Sequence, residues 1–442
     1  MTSKIFNALK EKAQHNRFES TSSRVERLIK LQKWIKDHES LIEEALFQDF
    51  KKPKFETQVT EIVMVLSELK YFIQKLPRWM KDKKVSTPLS LAGHTSRIRF
   101  ENKGVILIIS PWNYPFQLTV MPLIAALAAG NTVIIKPSEL TSHASNLMEK
   151  MCKDCFSENE VILEMGEKEK TNELLTYPVD HVFFTGSTPV GKIIAKTCAE
   201  RLIPCTLELG GKSPAIIDHT INIKDVVKKI FWGKFSNRGQ ACVAPDILII
   251  HQSIKTKFMT EYQKYSEQFK NENPTEIINK NHTERLKSMS SIDFATTQTL
   301  LVEAESASEK LKTEEIFGPM AVVYTYESLP DIENIYNTSP NPLALYVFSD
   351  DKKFVETILN KFPSGGVGIN TLMVHLANHN LPFGGIGNSG QGRYHGYFGF
   401  LELSHQRAVL ENNLPNSSLD LIYPPYSAAK STFIQILKKM VT

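Results

Sequence analysis

Five cysteines in 442 residues, Cys152, Cys155, Cys198, Cys205 and Cys242, are too few and too irregularly spaced for a disulfide framework. That scarcity excludes a disulfide-stapled scaffold and points to a reducing compartment, the cytoplasm. Neither charge dominates: 52 Lys and Arg against 48 Asp and Glu leave a net charge of +4. The basic cluster Lys51, Lys52 and Lys54 has Glu43, Glu44 and Asp49 close by, a pattern of solvated helix faces, so no nucleic-acid partner is expected. Long apolar runs are missing too. Leu118 to Ile135 is broken by Pro122, Gly130 and Asn131 and reads as a buried helix, a turn and a buried strand. Thr432 to Thr442 is short and carries Lys438 and Lys439, and Met1 to Lys10 lacks the apolar core and cleavage site of a secretory signal. No integral membrane segment is therefore expected.

What is present is ordinary globular material, 42% hydrophobic and 23% charged, in a chain too long for one hydrophobic core. Leu28, Leu31, Trp34, Ile35, Leu41, Ala45 and Leu46 recur at helical spacing among charged neighbours, which predicts packing helices. From Val105 onward strand and helix alternate. Strands are predicted at Val105 to Ile109, Thr132 to Ile135, near Ile162, at His181 to Phe184 and at Thr206 to Leu209, with helices at Leu118 to Ala129, after Thr141 and at Val190 to Ala199. A second series follows, with strands at Ala215 to Ile217, Ile247 to Ile250, Ala321 to Tyr324 and Ala344 to Phe348, and a helix at Ile223 to Phe235. The expectation is an α/β protein of two doubly wound lobes, dividing near Glu208 to Lys212.

Several chemically capable residues fall just beyond predicted strand ends, where open α/β sheets place their sites. Cys242 closes the loop Asn237-Arg238-Gly239-Gln240-Ala241-Cys242; taken alone, it reads equally well as a buried, inert thiol. Glu208 ends a strand before Gly210 and Gly211, and Asn113 sits between Pro111 and Pro115, which stiffen the loop that aims its amide. Lys136 to Glu139 offers a cation and a carboxylate suited to a ribose, or a solvated turn. Phe184-Thr185-Gly186-Ser187 leads from a strand into a helix whose first amides suit a pyrophosphate, although the segment is not a G-x-G-x-x-G fingerprint.

In order along the chain, Pro111-Trp112-Asn113, Lys136-Pro137-Ser138-Glu139, Phe184-Thr185-Gly186-Ser187, Glu208-Leu209-Gly210-Gly211-Lys212, Gly239-Gln240-Ala241-Cys242 and Glu314 to Pro319 resemble the aldehyde dehydrogenase superfamily over nearly the whole chain. Pro382 to Gly390 and Tyr394-His395-Gly396 resemble its class 3, fatty-aldehyde-like branch. The resemblance implies oxidation of an aldehyde to the acid with NAD or NADP through a cysteine thiohemiacetal and thioester. It implies Cys242 as nucleophile, Glu208 as general base, and Asn113 with the Cys242 amide as oxyanion donors. It further implies Lys136 and Glu139 on the adenosine ribose, Gly186, Ser187 and Gly191 at the pyrophosphate turn, and Glu315 and Phe317 at the nicotinamide end. Residues 1–79 and 100–208 would then form the cofactor-binding domain, 209–403 the catalytic domain, and 80–99 with 404–425 a bridging element that pairs subunits into a homodimer. Medium- or long-chain aliphatic and aromatic aldehydes are the implied substrates.

The chain departs from the family pattern between Ser288 and Thr313, which looks shortened and lacks the expected glycine-bearing turn, so a trimmed catalytic lobe is expected there. The region from Phe258 to Asn281 also looks compact. Two alternatives follow: transfer of the acyl group to coenzyme A, or a dehydrogenase-like binding protein with little turnover. Cys152-Lys153-Asp154-Cys155 matches C-x-x-C but is expected on a surface helix without thioredoxin surroundings. His375 and His379 have metal-ligand spacing, yet the intervening Glu of the zinc motif is absent, so no metal is expected. Outside the family context, Trp112 and Phe317 read as core aromatics.

Overall fold

The computed structural model describes residues 1–290, 299–414 and 423–441. Its first sheet has the order β14-β7-β6-β3-β4-β5, built from β3 (Val105–Ile109), β4 (Thr132–Lys136), β5 (Val161–Leu163), β6 (His181–Thr185), β7 (Cys205–Glu208) and a two-residue edge strand β14 (Gly390–Gln391). All of its pairings are parallel except that of β14 with β7. Helices cover both faces, which is why β3 and β4 are buried at every residue and read as continuous aliphatic runs. Helix Gln117–Ala129 is buried all round except at Leu118, so it is apolar on every face. It stops at Gly130, whose φ of +89° is left-handed; a Cβ there would stand 2.5 Å from the Arg24 guanidinium.

The second sheet is wholly parallel, with the order β10-β11-β9-β8-β12-β13. Its strands are β8 (Pro214–Ile217), β9 (Ile247–His251), β10 (Leu300–Glu303), β11 (Met320–Tyr326), β12 (Ala344–Phe348) and β13 (Gly366–Ile369). A third, antiparallel sheet joins β1 (Lys83–Val85), β2 (His94–Asn102) and β15 (Ser404–Asn412), in register from Ser404 opposite Asn102 to Asn412 opposite His94. The two-lobed α/β architecture is as expected. Within the segment that looked shortened, residues 291–298 lie outside the described residues; around them stand β10 and helix Glu309–Thr313.

One local expectation is corrected. Lys52 is not on a solvated face: it is fully buried, 2.7 Å from the equally buried Glu61 and 4.0 Å above the Tyr114 ring. Glu61 in turn accepts the Gln117 N–H at 2.8 Å, so the pair anchors the first turn of helix Gln117–Ala129. Cys152 and Cys155 sit, as expected, on a surface helix, Ser142–Cys155, and both side chains lie on its buried face. Burial pushes both thiols up to about 12, which leaves them inert.

Candidate active site

In the first sheet the chain builds β3, β4 and β5 outward in one direction, then returns to lay β6 and β7 on the other side of β3. The topological switch point therefore lies beyond the carboxyl ends of β3 and β6, the place where such sheets leave a crevice. The Ser110 to Asn113 loop and the Thr185-Gly186-Ser187 turn border it, and Glu208 ends the adjacent strand.

Cys242 follows a strained turn. Asn237, Arg238 and Gly239 have φ of 48°, 57° and 68°, consecutive left-handed residues of which two carry side chains. Such strain persists only where the surroundings over-determine it. Here Asn237 Nδ2 donates to the carbonyls of Asn113 (2.9 Å) and Gln240 (3.0 Å). Gln240 Nε2 donates to the Asn237 and Glu276 carbonyls, each at 3.0 Å, and its Oε1 accepts from Ile278 N at 3.1 Å. Beyond the cysteine, the fully buried Tyr346 donates to the Val243 carbonyl at 2.6 Å. Asn113 is buried, and its amide donates to the Gln240 carbonyl at 3.1 Å, two residues before Cys242.

Cys242 and Glu208 line one cavity of about 190 Å3, whose walls are mainly apolar, with Val59, Met64, Leu118, Trp232, Met373 and Phe383 among them. Burial pushes the Cys242 thiol up to about 12, with Glu315 and Glu208 adding to the shift, while the Cys242 and Val243 N–H groups oppose it. Glu208 is 3% exposed and neither of its carboxylate oxygens has a protein partner. Burial raises its pKa well above the usual carboxyl range, with Arg393 opposing and Glu402 adding. A thiol and an unpartnered carboxyl in a greasy chamber suit nucleophilic attack followed by activation of water.

The remaining predicted residues surround the crevice. Lys136 ends β4 buried, with Nζ 2.8 Å from Glu139 Oε2. Gly186 donates its N–H to the Glu208 carbonyl at 3.0 Å; a Cβ on it would meet the Phe184 ring at 2.5 Å. Ser187 is the N-cap of helix Thr188–Glu200, and Gly191, in its first turns, lies so close to Leu209 that a Cβ would meet that side chain at 2.5 Å. Glu315 reaches back to Gly210, where a Cβ would stand 2.2 Å from its Oε1, and that oxygen is buried without a partner. Phe317, at φ 47°, meets Trp112 edge to face at 5.3 Å. An orphaned carboxylate oxygen, a buried ammonium and a glycine turn opening a 13-residue helix are features that a dinucleotide's ribose hydroxyls and pyrophosphate would satisfy. His379, by contrast, is committed to protein partners, Glu68 through Nδ1 and Ser67 through Nε2, and no metal-ligating cluster occurs among the described residues.

The sequence reading missed the network that holds Glu315 and Phe317. Asp246 accepts the Ile316 N–H at 2.6 Å and pairs with Lys234 at 3.2 Å and Lys212 at 3.6 Å, all three side chains nearly fully buried. Lys212 Nζ also donates to the Leu311 and Glu314 carbonyls, and Arg285 donates to those of Glu315 and Ile316. Lys234 is one of four lysines between Ile223 and Phe235, and nothing in the sequence marks it as the buried one or names its partner.

The model of the aldehyde dehydrogenase family matches residues 2–409. A 4,4'-diaponeurosporen-aldehyde dehydrogenase of Staphylococcus aureus is 41% identical over 425 residues, covering 92% of each chain. The dimeric NADP-preferring aldehyde dehydrogenase of Canis lupus familiaris is 38% identical, covering 92% of this chain and 94% of that one. The solved structure of Staphylococcus aureus AldH in a substrate-bound state superposes with a TM-score of 0.93 at 38% identity, covering 99% of both chains.

Proposed function

The chain belongs to the aldehyde dehydrogenase family, and we propose that Cys242 is its nucleophile, Glu208 its general base and Asn113 with the Cys242 amide its oxyanion donors. Its activity is oxidation of an aldehyde to the carboxylic acid with NAD or NADP. The observation that carries the residue assignment is the single chamber shared by Cys242 and the unpartnered carboxyl of Glu208.

In this reading the Cys242 sulfur adds to the aldehyde carbon, forming a C–S bond and an alkoxide, which amide donors stabilise. Lys136, Glu139, Gly186, Ser187, Gly191, Glu315 and Phe317 hold the dinucleotide, which when bound supplies the hydride acceptor and a cationic ring favouring the Cys242 thiolate. Loss of hydride from the former aldehyde carbon leaves a thioester on Cys242. Glu208 then takes a proton from water as the hydroxide adds to the thioester carbonyl; the C–S bond breaks, the acid departs, and the thiol and carboxylate are restored. The balance is aldehyde, water and oxidised cofactor to acid, reduced cofactor and one proton.

The apolar chamber favours medium- or long-chain aliphatic or aromatic aldehydes, and the relative named for a diaponeurosporen aldehyde is in keeping with that class. We assign cofactor binding to residues 1–79 and 100–208, catalysis to 209–403 and bridging to 80–99 with 404–425; the exposed arm of β1, β2 and β15 supports the last. We propose a homodimer, which that arm and the dimeric relative support. Among the described residues no helix is long and apolar enough to cross a membrane; five free cysteines support a cytoplasmic setting.

Reduced-cofactor formation with medium-chain and aromatic aldehydes, with and without coenzyme A, tests the assignment. Cys242→Ala should lose about a thousandfold or more in turnover. Glu208→Gln should form the thioester, seen by mass as an acyl adduct on Cys242, and then stall. Equal turnover in wild type and Cys242→Ala would sink the reading.

A further inference from the structure

Outside the chamber, four side chains form one hydrogen-bonded line that ends at Glu402. Lys103 Nζ lies 3.0 Å from His181 Nδ1, His181 Nε2 lies 2.8 Å from Thr206 Oγ1, and Thr206 Oγ1 donates to Glu402 Oε1 at 2.6 Å. With Lys103 charged, the direction of every bond follows. An ammonium only donates, so His181 Nδ1 accepts and the ring proton sits on Nε2. That N–H donates to the Thr206 oxygen, which leaves the hydroxyl proton for the carboxylate. His181 is 1% exposed, and burial, with Lys103 beside it, lowers its pKa well below the usual histidine value. The ring is therefore neutral, as the direction of the line requires.

The line is shaped to bring Glu402 to this place. Thr206 is fully buried on β7. Gly392, at φ 85°, passes so close that a Cβ would stand 2.8 Å from both Glu402 Oε1 and Thr206 Cγ2. Side chains alternate along a strand, so Thr206 and Glu208 share one face of β7, about 7 Å apart. The Glu402 carboxylate bonded to Thr206 is thus held on the face that carries Glu208.

We propose that Glu402, held by the Lys103, His181 and Thr206 line, is a positioning residue whose charge biases Glu208 toward its protonated form, in addition to burial and against Arg393. The inference rests on Glu208 being the general base. A fixed negative charge on the same face disfavours a second one, so Glu402 makes Glu208 hold a proton more tightly and therefore act as a stronger base toward water. The other charged or titratable groups that bear on Glu208 are Arg393, from the segment after β14, which opposes Glu402, and Cys242 and Tyr394, which feel Glu208 across the chamber. Glu402 itself faces Thr206 and the cation of Lys103, and acts also on Cys205. Lys103 sits half-buried at the far end, where its charge tempers that of Glu402.

The test is a titration of Glu208 in the full chain, followed through the infrared band of its protonated carboxyl and assigned by the loss of that band in Glu208→Gln. Glu402→Gln keeps the shape and the acceptor but removes the charge, and should lower the midpoint by about half a pH unit or more. Lys103→Met removes the opposing cation from a half-exposed position and should raise the midpoint by a smaller amount. A purely structural role would move the melting temperature in both variants and the midpoint in neither. An unmoved midpoint in folded Glu402→Gln, or shifts of the same sign in the two variants, would overturn the proposal. The acid limb of kcat, measured in parallel, reports on the base assignment separately. If the infrared midpoint moves while that limb stays, the electrostatic control holds and the assignment of Glu208 as base falls.

Discussion

Gly239 and Gly318 meet backbone to backbone: a Cβ on Gly239 would stand 2.2 Å from the Gly318 carbonyl oxygen. The contact joins the loop that presents Cys242 to the turn that presents Glu315 and Phe317. It fixes the spacing between these two segments through backbone alone.

Gly239→Ala therefore carries two costs, a left-handed φ of 68° and a collision with backbone that cannot swing aside. Urea unfolding should show a loss of about 2–4 kcal/mol at an unchanged m-value. A loss below about 0.5 kcal/mol, the size of a neutral surface change, would mean that the two segments are not locked together.

Glu315 gives a pH signature. Burial first, and then Asp246, push its carboxyl up to about 8. A raised carboxyl pKa means that the folded state keeps its proton where the unfolded chain, at about 4.3, has lost it. Stability contributed by this group thus falls as pH rises from about 4.3 to about 8, by at most about 1.4 kcal/mol per unit, and is level above that. Glu315→Gln should match wild type near pH 4.5 and become the more stable protein toward pH 8.5. Parallel stability curves across that range would contradict the cause assigned.

Tyr346→Phe removes the 2.6 Å bond to the Val243 carbonyl and leaves that oxygen buried and unpaired. The expected cost is about 1–3 kcal/mol in chemical denaturation. Because Val243 adjoins Cys242, the rate of Cys242 alkylation by iodoacetamide should change as well; stability loss with an unaltered alkylation rate would show that Tyr346 does not hold the cysteine.

Lys52→Met leaves Glu61 buried without its cation and should destabilise by about 3–5 kcal/mol. In Lys52→Met/Glu61→Gln the lone charge is gone while an oxygen remains for the Gln117 N–H, so a large part of the loss should return. A double variant no better than the single would mean that packing of Lys52 on Tyr114, rather than charge, is what matters.

Much of the framework was legible because its signals are local. The aliphatic run Val105 to Ile109 can only be a strand buried on both faces, and Leu118 to Ala129 only a helix with no exposed side. The proposed site residues come from motifs, and the fold brings Cys242 and Glu208, 34 positions apart by residue number, into one chamber. Lys52 was misread because a lysine among charged neighbours looks solvated until its partner is known, and Glu61 arrives from the following helical turn. Cys152 and Cys155 were placed on a surface helix, and which of its faces carries them had to come from the packing.

By itself the sequence determined the order of most core strands between Val105 and Phe348, the family, and the identity of the residues at strand ends, since periodicity, turn chemistry and motifs are all written within a few neighbouring positions. Only the tertiary structure decided what those residues feel. The orphaned carboxyl of Glu208, the raised carboxyl of Glu315 above Gly210, the buried Asp246 network and the line from Lys103 to Glu402 all join positions far apart in the chain. Desolvation and charge act through space, and the distances that govern them exist only once the lobes have packed.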